Sequence, residues 1–335
     1  MLRQLYTKVI IFAVLGGCKT DVELIAPEAR EKLVVYGILR AESDTQYVRI
    51  GRLFVTREDA AAYAARTDLS VHAQVQLTDG QRTWLAMPET VIKTPQNPFF
   101  PIHVVYKIVM RPAPRTRYTL TVTVPDNPTL NVTATTVMPS IPYIARPETT
   151  MIVGSLTSHP VIDLMKRYTI QFFPQSNTQL PALGAGYELR FSFTYGEVRG
   201  GDTIWRTLNI GPRRIAGAGS GAQSYILQEK ELLTTVYANL SPFNYPYVYD
   251  NSRFSRAWRL QITALDTALY NYLRVNDPAN TDFTTIKPEY SNVQNGLGVF
   301  GSAATAERFF RIDSCSEYLL RLNDAPKPST PCSLE

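Results

Sequence analysis

Period-two alternation of apolar and polar residues recurs along most of this chain, and it predicts many short β-strands. Leu33, Val35, Gly37 and Leu39 fall on one side of the first run, with Lys32, Val34 and Tyr36 on the other. Tyr47 to Leu53 resumes the pattern after Ser43 and Asp44, so the two runs form a hairpin. Val71, Ala73, Val75 and Leu77 alternate with His72, Gln74, Gln76 and Thr78. Asp79-Gly80, a pair that favours left-handed torsions, then turns the chain back toward Trp84 and Leu85. Val104 to Met110 follows, then Tyr118, Leu120, Val122 and Val124 with threonines between them. A Pro125-Asp126-Asn127-Pro128 turn leads on to Leu130 to Val137. Roughly seven strands in about 110 residues predict an immunoglobulin-like β-sandwich over residues 31–139.

Two stretches interrupt this rhythm. Thr56 to Thr67, with Glu58 and Asp59 ahead of an alanine-rich run, predicts a short capped helix. Pro95 to Pro101 holds Phe99 and Phe100 between prolines and cannot be a central strand; the two rings either plug the sandwich end or form a contact site.

Residues 140–147 are proline-rich and predict a linker. Beyond them, 148–322 repeats the strand texture with larger side chains: Tyr168, Ile170 and Phe172, then Tyr187, Leu189, Phe191, Phe193 and Tyr195, then Thr203 to Ile210 after the Gly200-Gly201 turn. Residues 229–240 are helical in composition, Ala257 to Leu265 predicts a strand, and 266–276 predicts a helix capped by Asp266 or Thr267. The expected fold class is mostly β: an N-terminal immunoglobulin-like sandwich, then a second β-rich, sandwich-like domain with two short helices. A proline-rich tail, 323–335, ends the chain.

Composition agrees, with 44% hydrophobic residues, 19 Tyr and 14 Phe for strands, and 23 Pro and 18 Gly for turns. The first residues add an address. A basic head (Arg3, Lys8) and an apolar run from Val9 to Leu15 precede Gly16, Gly17 and Cys18. That is the pattern of a lipoprotein signal peptide, 1–17, cleaved between Gly17 and Cys18, with Cys18 carrying the lipid. The run reaches only about 13 Å as a helix, too little to span a bilayer. The alternative is an ordinary secretory signal with Cys18 a plain thiol. A lipidated tether over 18–30 follows. Removing Arg3 and Lys8 from the 34 basic side chains leaves 32 against 29 acidic, a net +3. With no basic run longer than Arg213-Arg214, nucleic acid is not an expected partner. Cys315 and Cys332 remain as an even pair outside the reducing cytosol, which predicts a disulfide pinning the tail onto the last strand.

Chemistry is sparse. Gly217-Ala218-Gly219-Ser220-Gly221 lacks the Lys and Ser/Thr of a phosphate cradle, and Ala218 stands where a nucleophile elbow needs glycine. His72, His103 and His159 lie in three separate segments without metal-ligand spacing, and no carboxylate pair is set apart as an acid/base couple. No cofactor, metal or catalytic residue is expected. Tyr245, Tyr247 and Tyr249 lie in a proline-interrupted segment and are the best candidates for stacking on a ligand; otherwise they cover the second core.

The stretch Tyr290-Ser291-Asn292-Val293-Gln294-Asn295-Gly296-Leu297-Gly298-Val299-Phe300-Gly301 resembles the C-terminal signature of a Bacteroidetes-type outer-membrane lipoprotein family of unknown function, encoded beside TonB-dependent transporters. Lys32 to Leu39 and Arg117 to Val122 are similar to two of its strands. Read physically, Asn295-Gly296 can take positive φ and return Leu297, Val299 and Phe300 to the core. The resemblance implies a surface-exposed outer-membrane lipoprotein, held by its lipid anchor. It would be a non-enzymatic accessory or assembly subunit of a TonB-dependent transporter or of that transporter's substrate-binding lipoprotein. The alternative is a lipoprotein that itself captures glycans or peptides.

Overall fold

A computed structural model describes residues 31–53, 71–92, 102–153, 156–174, 184–217, 219–240, 247–250, 255–277 and 289–320, with residues 59, 62 and 332. Gly17, Cys18, Phe99, Phe100, Tyr245 and most of the helix expected over 56–67 lie outside the described residues.

The protein is mostly β, as the alternation predicts. Its spine is a ten-stranded sheet whose main path runs β15 (Asp202–Ala216), β14 (Gly186–Arg199), β18 (Trp258–Leu265), β20 (Leu297–Ile312), β1 (Lys32–Arg40), β2 (Thr45–Leu53), β6 (Ile102–Val109) and β5 (Met87–Ile92). Two short strands join its sides: β12 (Val161–Ile162) pairs with β20, and β17 (Tyr247–Val248) pairs with β14.

Two smaller sheets cover one face of this spine. Over the β1–β2–β6 half lies a five-stranded sheet ordered β19 (Val293–Gln294), β8 (Val132–Val137), β7 (Arg117–Thr123), β3 (Gln74–Thr78) and β4 (Thr83–Leu85). Over the β14–β18 half lies a three-stranded sheet of β16 (Gln223–Leu227), β13 (Tyr168–Phe173) and β9 (Tyr143–Arg146), with helix α1 (Glu231–Asn239) beside it. A separate hairpin joins β10 (Thr150–Val153) to β11 (Leu156–Ser158).

Alternation explains each core. On β1, Leu33, Val35 and Leu39 are fully buried, and on β7 so are Tyr118, Leu120 and Val122, so these two strands face each other across the first sandwich. On β14 the inward row Tyr187, Leu189, Phe191, Phe193 and Tyr195 meets Trp258, Leu260 and Ile262 of β18. Phe193 stacks on Trp258 with ring centroids 4.1 Å apart, and Phe310 meets the edge of Phe191. Burial of such rings is the main stabilising term in a β-sandwich.

Several expectations need revision. The 31–139 and 148–322 units are joined through strand pairing: β20 lies parallel to β1, from Val34 opposite Leu297 to Arg40 opposite Ala303. β20 contributes Phe300 and Ala304 to the first core and Phe310 and Ile312 to the second. Val293 also pairs with Ala134, so the first sandwich is completed by residues more than 150 positions later in the sequence. The linker expected over 140–147 contains β9, which is hydrogen-bonded to β13. The two expected helices form as α1 and as α2 (Thr267–Val275), and a third, α3 (Ser314–Leu319), follows β20. The hairpin after β3 closes through Asp79 to Arg82: the Asp79 carboxylate accepts from the N–H groups of Gln81 and Arg82, and Gly80 alone takes a left-handed φ of 89°. The turn expected at Asp79-Gly80 is thus a loop over Asp79 to Arg82 that the Asp79 side chain caps.

Candidate functional site

The segment resembling a family signature is a clasp built around one amide. Asn292 accepts from the N–H of Phe300 at 3.0 Å and donates to the Phe300 carbonyl at 2.7 Å and to the Thr135 carbonyl at 3.1 Å. It thereby closes the β19–β20 turn onto β8. Asn295 supplies the positive φ, 59°, that the turn requires. Behind it, Asp266 caps α2 from within a nearly closed site. Its Oδ1 accepts from the N–H of Leu269 at 2.9 Å and of Ser302 at 3.1 Å, and its Oδ2 accepts from the Thr136 hydroxyl at 2.7 Å. Burial pushes the Asp266 carboxyl above the usual carboxylate range, and these hydrogen bonds pull against that rise. The residue therefore ties β8, β20 and α2 together. A small cavity of about 270 Å³ opens beside it, reaching Tyr290 and Asn292. Both oxygens of this carboxylate are engaged in holding elements together, a structural role.

The larger opening lies on the opposite face of the spine, which the two smaller sheets leave free. α2 packs there, with Leu269 against Leu265 and Ala303, and beside it runs a groove of about 730 Å³. Outward-pointing residues of successive strands form its floor: Glu188 and Arg190 of β14, Gln261 and Thr263 of β18, Thr305 and Glu307 of β20. Glu188 accepts from Arg190 at 2.7 Å and from Arg214 at 3.3 Å. Arg214 also reaches Asp277, just past α2, at 2.6 Å, bracing the groove from β15 to the helix. Thr263 and Thr305 share a hydroxyl–hydroxyl hydrogen bond of 3.1 Å. These ion pairs are partly solvated and contribute little to stability, so they shape the site rather than hold the fold.

Sequence reasoning placed its candidates elsewhere. Tyr247 and Tyr249 are 8% and 5% exposed, and they belong to the second core. Tyr247 meets Tyr195 at 5.7 Å and Tyr249 meets Phe193 at 5.6 Å, both edge to face, and burial raises the pKa of each phenol. They are corrected from ligand platform to core because β17 pairs with β14 and turns both rings inward. Cys315 and Cys332 are bonded, with Cα atoms 5.5 Å apart. The bridge fastens the tail to α3, and not to the last strand as expected, because β20 ends at Ile312 and Asp313 immediately caps the helix. Cys315→Ser should lower stability by about 3 kcal/mol, the value for a loop of this length. The check is the shift in denaturation midpoint, with reductant producing no further shift in the variant and a comparable one in the parent. His103 lies on β6, His72 before β3 and His159 beside Phe309 of β20, so the three histidines are dispersed. Among the described residues no three His, Cys, Asp or Glu side chains converge to hold a metal.

The groove residues went unnoticed because they are the polar half of each alternating strand, which from one strand alone reads as solvent face. The signal was present in the chemistry: the outward row carries planar amides, guanidinium groups and threonines across three strands.

The model of a family described as a domain of unknown function (DUF4249) matches residues 19–308, which takes in the clasp, Asp266 and the whole groove. The chain belongs to the DUF4249 family. No curated protein matches it. Among solved structures, the FN1–FN3 domains of chicken CNTN1 show 9% identity and a TM-score of 0.16 over 83% of this chain and 66% of that one. The family match ends within β20, and Cys315, Cys332 and the tail lie beyond the matched residues.

Proposed function

We propose that this chain is a lipid-anchored, non-enzymatic module of the outer-membrane surface, serving as an accessory or assembly subunit of a TonB-dependent uptake system. The observation that carries the reading is Leu15-Gly16-Gly17-Cys18 behind a short basic and apolar leader. Two or more acyl chains on Cys18 give durable attachment at about 0.8 kcal/mol per buried methylene. From Cys18, the thirteen residues to Glu31 reach at most about 45 Å when extended, enough to hold the folded part clear of lipid headgroups. The resemblance of the Tyr290 to Gly301 sequence to the signature of a transporter-linked lipoprotein family supports the partner class. No helix among the described residues is long and apolar enough to cross a membrane.

Labelled palmitate is expected to enter the wild-type chain and not Cys18→Ala, and a TonB-dependent barrel to co-purify from detergent-solubilised membranes. Equal labelling of both chains would overturn the anchor, and recovery of the chain without a barrel would overturn the accessory role. A second reading, capture of a polar ligand by the chain itself, is favoured by the groove across β14, β18 and β20.

A further inference from the structure

We infer that this groove binds a neutral, hydroxyl-rich ligand, an oligosaccharide laid across β14, β18 and β20; the inference rests on the capture reading and names its ligand class.

Charge is the first argument. Three guanidinium groups (Arg40, Arg190, Arg214) and three carboxylates (Glu42, Glu188, Glu307) line the groove, so its lining carries no net charge. Arg190 and Arg214 both donate to Glu188, and a charged ligand would have to break those pairs to gain its own. Desolvation is the second. An apolar ligand would strip water from these groups without replacing its hydrogen bonds, at a cost of kilocalories per group. The apolar part of the lining comes from Ile38, Leu265, Leu269, Leu273 and Ala303, where α2 meets the sheet, and the rest is polar.

Unspent hydrogen-bonding capacity is the third argument. The amides of Asn209 and Gln261 make no hydrogen bond to another described residue, and each offers a donor and an acceptor side by side. The Thr263–Thr305 pair retains lone pairs, and Arg190 spends one of its five N–H donors on Glu188. Hydroxyl groups, each both donor and acceptor, match such a surface. These polar positions recur at the strand spacing, about 4.8 Å, which suits a ligand whose hydroxyls recur along an extended chain. An extended peptide is the poorer match: it docks on a sheet edge with free backbone groups, whereas β14, β18 and β20 are paired on both sides.

The test uses the full-length chain in detergent, titrated with short neutral oligosaccharides of glucose, mannose, xylose and arabinose, with a neutral peptide and with inorganic phosphate. One or more of the oligosaccharides should bind, and the double variant Asn209→Ala/Gln261→Ala should weaken that binding about tenfold or more with an unchanged thermal melt. A melt shifted by the double variant would be replaced as a test by Thr305→Val alone, with the same expected direction. Binding by the peptide alone would leave capture standing and overturn the oligosaccharide assignment. Binding by none of the probes, or oligosaccharide binding indifferent to the variants, would overturn both the assignment and the groove as the site.

Discussion

Gly298→Ala is expected to cost about 3–5 kcal/mol, enough to abolish most soluble protein at 37 °C in a fold of ordinary stability. Gly298 sits at φ 105°, a conformation that side chains with a Cβ rarely adopt. An added Cβ would also lie 2.1 Å from the carbonyl oxygen of Val35, and that oxygen belongs to a central strand and cannot withdraw. Relief would require β20 to separate from β1, where Val35 stands opposite Gly298 in the parallel register. Chemical denaturation read by far-ultraviolet circular dichroism checks this. A loss below about 1 kcal/mol would mean that the β1–β20 junction is looser than described.

Asp266→Ala is expected to cost about 3–5 kcal/mol as well, through a different mechanism. It removes the acceptor of two backbone N–H groups and one hydroxyl, all buried, and leaves them without compensation. Asp266→Asn should cost much less, because its oxygen can keep both N–H groups while its amide donates to Thr136. The two variants also separate charge from hydrogen bonding. Since burial raises the folded-state pKa, the folded chain holds the Asp266 proton more tightly than the unfolded chain does. The associated stability is fully present below the ordinary aspartate value, roughly 4, and is lost as pH rises through the elevated folded value. Wild type should therefore gain on Asp266→Asn as pH falls through that window. Equal pH dependence of the two proteins would show that the carboxyl is not perturbed.

The sequence carried the strands better than their partners. Alternation located β1, β7, β14 and β18 because each has one buried and one open face, so the pattern is local. β20 was visible only as far as Gly301. Its continuation, Ser302-Ala303-Ala304-Thr305-Ala306, has small residues on both faces because α2 covers one side and the two cores lie on the other, and small residues do not alternate. β9 was hidden by Pro139, Pro142 and Pro147, which flank four residues that form a strand only because β13 offers an edge. Tyr247 and Tyr249 were ambiguous for the same reason: whether a ring in an irregular segment is open or buried depends on what lies beneath it, here Phe193 and Tyr195. The disulfide was legible from the cysteine count and the expected compartment, but its anchor point depended on where the last strand ends. The groove was the least legible feature, since it exists only when the outward rows of β14, β18 and β20 stand side by side, and that neighbourhood joins residues more than 100 positions apart.

Because β1 is laid against β20, the beginning of the chain waits for its end. A polypeptide emerging from synthesis N-terminus first has no finished hydrophobic interior until Leu297 and the residues after it have emerged as well. Until then the first module presents an open strand edge to its surroundings, a hazard for mispairing with neighbouring chains. A chain truncated before residue 290 lacks both β19 and β20, and its β1 and β8 edges stay open for good.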